Sequence, residues 1–265
     1  MEPISTTVGA GLIAYASKDL ISKLLGPSAD YLGGEIGNLV EKCNVNLGDI
    51  FTKAGRKSAD SLADGSQVNP RVIKAIVNEG SFCDDDTIKE YYAGVLAASR
   101  TKDGDDDIGV SLLSVLQGLS VYQVRLHYLF YREFHRAYSA KPVHLGDHSE
   151  RTKRKLFIPL PTIGGSLKIS GDIEAVLVHA ITGLVKHELL GPTWQYGPPA
   201  GLKKYYADAT EWGVVLEPSL SGIELFVWAN GRKRMSSPTF LLADPIDGEM
   251  DVPHIPGTQP THKDT

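Results

Sequence analysis

Cysteine is nearly absent from this chain: Cys43 and Cys83 are the only two in 265 residues. Two thiols at that separation make neither a disulfide framework nor a zinc knuckle, and they fit a reducing, intracellular setting. Positive charge is also scarce, with 27 Lys and Arg against 32 acidic residues and a net charge of −5. That balance excludes the basic footprint of a general nucleic-acid binder. No uncharged apolar run reaches the length of about 18 residues that a membrane-crossing helix needs. The N-terminus lacks a basic leader, and its apolar run Val8 to Ala16 stops at Lys18 and Asp19, which is not the pattern of a secretory signal. Catalytic fingerprints are missing as well. There is no G-x-S-x-G, no Cys-His signature, no P-loop and no G-x-G-x-x-G that follows a strand. The expectation is a cytoplasmic protein with no cofactor and no motif that demands an enzyme.

What the sequence does have is helical punctuation. Val8, Leu12, Tyr15, Leu20 and Leu24 follow helical spacing, as do Leu32, Ile36, Leu39 and Val40 after Pro27. In "VNPRVIKAIVNEG", Asn69 is placed to cap, Pro70 to occupy the first turn, and Gly80 to stop the helix in a left-handed conformation. "DDDTIKEYYAGVLAASR" opens with three aspartates at the positive end of a helix dipole. A further helix runs from Ile108 to Gly118, and Ser120 with Gln123 has capping-box spacing before the next. Near residue 140 the texture changes to Pro, Gly and basic residues, a domain boundary by composition. Beyond it, "KLFIPLP" reads as an edge strand because of its prolines. Ile173 to Leu189 reads as a helix stopped by Gly191 and Pro192, and "WGVVLEP" as a strand. "SLSGIELFVWANG" reads as a helix capped by Ser221 and Glu224 and stopped at Gly231, with a last strand near "TFLLA". The reading is mainly α: an N-terminal helical bundle over 1–140, a smaller α+β C-terminal domain over 141–245, and a flexible tail over 246–265. The element order of the C-terminal domain permits a winged-helix-like fold, one that suits protein better than DNA because "GIELFVWANG" is apolar and acidic.

Three clusters are candidates for chemistry. "SRTKDGDDDIG", Ser99 to Gly109, places four aspartates within five positions. As a calcium loop it fails, with Ile108 where glycine is needed and Ser114 where a bidentate glutamate is needed. A turn followed by an aspartate cap on the helix at Ile108 explains it better, with Asp105, Asp106 and Asp107 as a contact surface for a partner. His127, His135, His144 and His148 fall within 22 residues. The H-x3-H pair His144 and His148 lies in a loop without a cysteine pair or catalytic glutamate, which makes a metal the weaker reading. The dense basic run Arg151, Lys153, Arg154 and Lys155 suits either an anion or a solvated linker.

Several ordered blocks together, "LLGPSADYLGGEIG", "VNPRVIKAIVNEGSFCDDDTIKEYYAGVLAASRTKDGDDDIG", "LSVYQVRLHYLFY" and "SGIELFVWANG", resemble the Abi-alpha family of bacterial abortive-infection proteins. The resemblance implies a helical intracellular protein of antiphage defence, and it carries no catalytic residue across. Within the second block Arg100 is expected to pair with the aspartates and fix the bend. The leading reading is a defence protein that binds a phage component or a partner encoded nearby, with self-association also open to it. The alternatives are a metal-dependent hydrolase or nuclease built on the aspartates and histidines, and a membrane-acting effector that inserts its N-terminal amphipathic helix.

Overall fold

A computed structural model describes residues 23, 45–138 and 145–232. The helices expected before residue 45, Cys43, His144, the strand near "TFLLA" and the tail lie outside the described residues. The described chain is mainly helical with two small antiparallel sheets. Among the described residues no helix is long and apolar enough to cross a membrane. The chain divides into two compact units, 45–118 with 227–232, and 119–138 with 145–226. The division therefore falls after Gly118 rather than near residue 140.

The first unit contains α1 (45–57), β1 (Gln67–Val68), α2 (Pro70–Gly80), α3 (Asp86–Ala98), β2 (Arg100–Thr101) and α4 (Ile108–Gln117). Local chemistry starts each helix. The Asn69 side chain accepts from Arg71 N at 2.9 Å ahead of Pro70. The Asp85 carboxylate accepts from Thr87 N and Ile88 N at 3.0 and 3.2 Å, which satisfies amides that α3 leaves without partners. Helix α3 is buried on every side from Lys89 to Ala98, so it is the centre of the unit rather than an amphipathic cover. Its buried Glu90 is held by Lys57 at 2.8 Å and Lys53 at 3.5 Å from α1. Gly80 is not the left-handed stop that its position suggests. It lies inside α2, where a Cβ would come within 2.7 Å of Ile50 Cδ1, so its smallness admits α1.

The second unit contains α5 (Val121–Tyr138), α6 (His148–Thr152), β3 (Leu156–Pro159), α7 (Leu160–Leu167), α8 (Ile173–Lys186), β4 (Trp194–Gly197), α9 (Pro199–Leu202) and β5 (Gly213–Leu216). It also takes the start of α10 (Leu220–Ala229). The sheet order is β3-β5-β4, antiparallel throughout, with Leu156 opposite Leu216 and Trp194 opposite the same residue. Proline in β3 is tolerated because β3 is an edge, and the fully buried β5 takes the centre. The capping box forms, with Ser120 N donating to Gln123 Oε1 at 2.8 Å. Helix α5 packs on α7, α8 and β3, which is why it belongs to this unit and not to the helices before it.

Helix α8 stops earlier than Gly191. Glu188 takes a left-handed conformation, φ 57, while Glu188 N donates to Val185 O at 3.0 Å and Leu189 N to Leu184 O at 2.8 Å. That is the two-bond helix stop usually built on glycine. The cap of α10 is also displaced from Ser221. Ser219 Oγ accepts from Gly222 N at 3.0 Å, whereas Gly231 does take the positive φ expected of the stop.

Candidate functional site

The bend at Ser99 to Gly109 is built from short-range bonds. Gly104, at φ 65, donates its N–H to Thr101 Oγ1 at 3.0 Å, and Asp106 Oδ1 accepts from Ile108 N at 3.0 Å. Asp107 pairs with Arg71, and Asn69 Nδ2 donates to the Asp105 carbonyl at 3.2 Å, so the bend is fastened to the start of α2. The capping carboxylate is thus Asp106, while the Asp105 side chain faces solvent. Asp106→Ala is expected to cost about 1 kcal/mol and Asp105→Ala to stay within about 0.5 kcal/mol, measured as shifts of the urea midpoint.

Arg100 does not pair with these aspartates. It is buried, and its Nη2 donates to Ser66 O at 3.1 Å and to Leu62 O and Asp64 Oδ1 at 3.4 Å. Burial lowers its proton affinity, and the Asp64 carboxylate opposes that fall. Strand β2 turns this side chain inward because Val68 and Arg100 are register partners, which places it over the 62–66 loop rather than the outer bend.

The histidines are dispersed. His127 is fully enclosed on α5, 4.6 Å from the Tyr131 ring, and its Nε2 lies 3.1 Å from the Gly222 carbonyl. A carbonyl only accepts, so Nε2 carries the hydrogen. Burial pulls the His127 pKa down to about 3 despite that bond, and the ring is neutral. His135 is buried further along α5, and His148 is exposed at the start of α6. Among the described residues no group of three or more His, Cys, Asp or Glu is placed to hold a metal ion.

Intramolecular bonds engage the basic run. Lys153 and Arg154 meet Glu150 at 3.3 and 3.0 Å, Lys155 meets Glu217 at 2.8 Å, and Arg151 Nη1 donates to the Leu145 carbonyl at 2.6 Å. Lys153 and Arg154 depress the Glu150 pKa in return. The four cations therefore do not present one anion-binding patch. Among the described residues, Arg151 alone of the four makes no ion pair.

Arg151 instead lines a cleft of about 380 Å³ within the second unit. One wall is α6, with His148 and Arg151. Facing groups come from the stop of α8, with Glu188, and from the end of β5, with Glu217 and Ser219. Apolar contacts are supplied by Val185, Leu190, Pro192 and Pro218. Two turns that meet at the cleft are tied together by buried Tyr131, whose hydroxyl donates to Leu189 O at 2.7 Å and accepts from Ser219 N at 3.0 Å. Gly191 N donates to Glu217 O at 2.8 Å, and a Cβ on Gly191 would come within 2.8 Å of Glu217 Cβ. Gly191 thus closes one turn against another rather than ending a helix. Sequence spacing gave no sign of Glu188, Glu217 or Ser219, because each reaches the cleft through a different turn. Protein-family models, curated proteins and solved structures give no match to this chain, so the cleft stands on its own geometry.

Proposed function

We infer that the chain is an abortive-infection-type antiphage protein of the bacterial cytoplasm that acts by binding a phage component or a partner protein, and not by catalysis. In this reading the first unit is a helical bundle and the second a winged-helix-like module. The observation that carries it is the order α5, α6, β3, α7, α8, β4, α9, β5 with sheet order β3-β5-β4, in which α6 and α9 are short insertions. In a helix-turn-helix pair the second helix offers the recognition face, and here that helix is α8, not the "GIELFVWANG" helix. Its exposed residues are Glu174, Ala175, Val178, His179, Thr182 and Lys186. One lysine beside a glutamate does not neutralise a phosphate backbone, whereas Ala175, Val178 and Thr182 suit a protein surface. The antiphage role itself draws on the resemblance of the sequence blocks.

The test is phage plating on bacteria that express the chain alone or with its genomic neighbours, at low and high phage-to-cell ratios. Protection at low ratio with collapse of the culture at high ratio is the expected result. Val178→Asp, at a position 43% exposed, is expected to abolish protection while leaving the circular dichroism spectrum and melting temperature unchanged. Unchanged protection in that variant would overturn the role of α8, and no protection in either setting would overturn the defence reading.

A further inference from the structure

The charged groups of the cleft divide by sign and by state of pairing. Glu217 is already neutralised by Lys155. Among the described residues, Arg151 spends one N–H on the Leu145 carbonyl and has no carboxylate partner, and the Glu188 carboxylate has neither an ion pair nor a side-chain hydrogen bond. The cleft thus offers one unpaired guanidinium, one unpaired carboxylate and an apolar lining from Val185, Leu190, Pro192 and Pro218.

Ligand classes differ in how well they meet that lining. An apolar ligand would take water from both charges and return nothing to either, an unfavourable exchange. A phosphate-bearing ligand would set its second charge against Glu188 and Glu217, and a simple cation would face Arg151 across the same space. A zwitterion satisfies both ends: a carboxylate matches the planar fork of a guanidinium, and an ammonium matches a carboxylate. The volume lies near the lower end of the range for small-molecule sites, which fits a metabolite of amino-acid size.

The backbone at Glu188 is a separate observation. A non-glycine residue in the left-handed region costs about 1 kcal/mol or more, and such strain concentrates at ligand sites. Glycine would end α8 at lower cost, and it would also take the carboxylate off the cleft wall.

We propose that this cleft binds a free α-amino acid with an apolar side chain, its carboxylate on Arg151, its ammonium on Glu188 and its side chain against Leu190, Val185 and the two prolines. His148 flanks the carboxylate end. This site is independent of the α8 surface, so either assignment can fail alone.

Isothermal titration of the full chain with leucine and phenylalanine tests it, beside 4-methylpentanoate, which lacks the ammonium, and isoamylamine, which lacks the carboxylate. Leucine or phenylalanine is expected to bind, and each truncated analogue to bind at least about tenfold more weakly than leucine. Glu188→Gln is expected to lose leucine binding by a similar factor at an unchanged melting temperature. Glu188→Gly is expected to melt higher than the parent and still fail to bind, which separates the carboxylate from the fold. No heat with either amino acid at millimolar concentration would overturn the proposal. Equal affinity for leucine and 4-methylpentanoate, or full leucine binding by Glu188→Gln, would do so as well.

Discussion

Gly94→Ala is expected to destabilise the first unit by about 3 kcal/mol. Gly94 lies in the middle of α3, and a Cβ there would overlap the carbonyl of Ala229 and stand 2.6 Å from its Cα. The obstacle is backbone inside a helix, which cannot rotate away, so the methyl must push α3 and the end of α10 apart. Interiors packed to near-crystal density transmit such a shift rather than absorb it. Gly183→Ala is the control. Its Cβ would meet the Gln123 side chain and no backbone, so that side chain can give way at the cost of its bond from Ser120 N, and alanine is the better helix former at that position. Urea denaturation of both variants should therefore show a large drop in midpoint for Gly94→Ala and a small one for Gly183→Ala. Equal midpoints would contradict the close approach of α3 to Ala229.

Acid should weaken the second unit through His127. The folded ring stays neutral down to pH about 3, while an unfolded histidine takes a proton near pH 6.5. Between those values the unfolded chain binds the extra proton, so stability rises with pH across this window and is lost as pH falls from 6.5 towards 3. Each unit of separation is worth about 1.4 kcal/mol, which gives a loss of about 2 kcal/mol by pH 5. His127→Gln keeps a donor for the Gly222 carbonyl and removes the titration. Its stability at pH 7 should be lower than that of the parent and its pH dependence between 6.5 and 5 shallower by about that 2 kcal/mol. Urea midpoints at half-unit pH steps measure the difference between the two curves. Parallel curves would mean that His127 is not held neutral in the folded chain.

These two effects belong to different orders of information. Helix starts were legible because their chemistry is local. Asn69 with Pro70, Ser120 with Gln123 and the aspartates ahead of α3 all act on amides two or three residues away. Edge placement of β3 followed from its prolines, and β5 was readable as a strand in "WGVVLEP", though not as the buried centre of the sheet. The Ser99 to Gly109 stretch was readable as a turn and cap for the same reason, although only the geometry selected Asp106 over Asp107.

Glycine was the least transparent residue type. Gly231 does reverse the chain at positive φ, but Gly80 and Gly191 are small because something else must pass close to them. A one-dimensional pattern does not separate those two uses. Arg100 was assigned to the nearest carboxylates along the chain, yet register in a two-residue strand pair turned it towards residues 34 to 38 positions away.

The sequence by itself determined where α2, α3 and α5 begin and that the chain is mainly helical. Tertiary structure alone decided that α5 belongs with the second unit, that His127 is neutral, and that Arg151 and Glu188 meet at one cleft. The physical reason is range. A cap or a turn is closed by atoms within one helical turn, whereas the bond from His127 to Gly222 spans 95 residues and those from Tyr131 span 58 and 88. Such contacts exist only once the chain has folded back on itself.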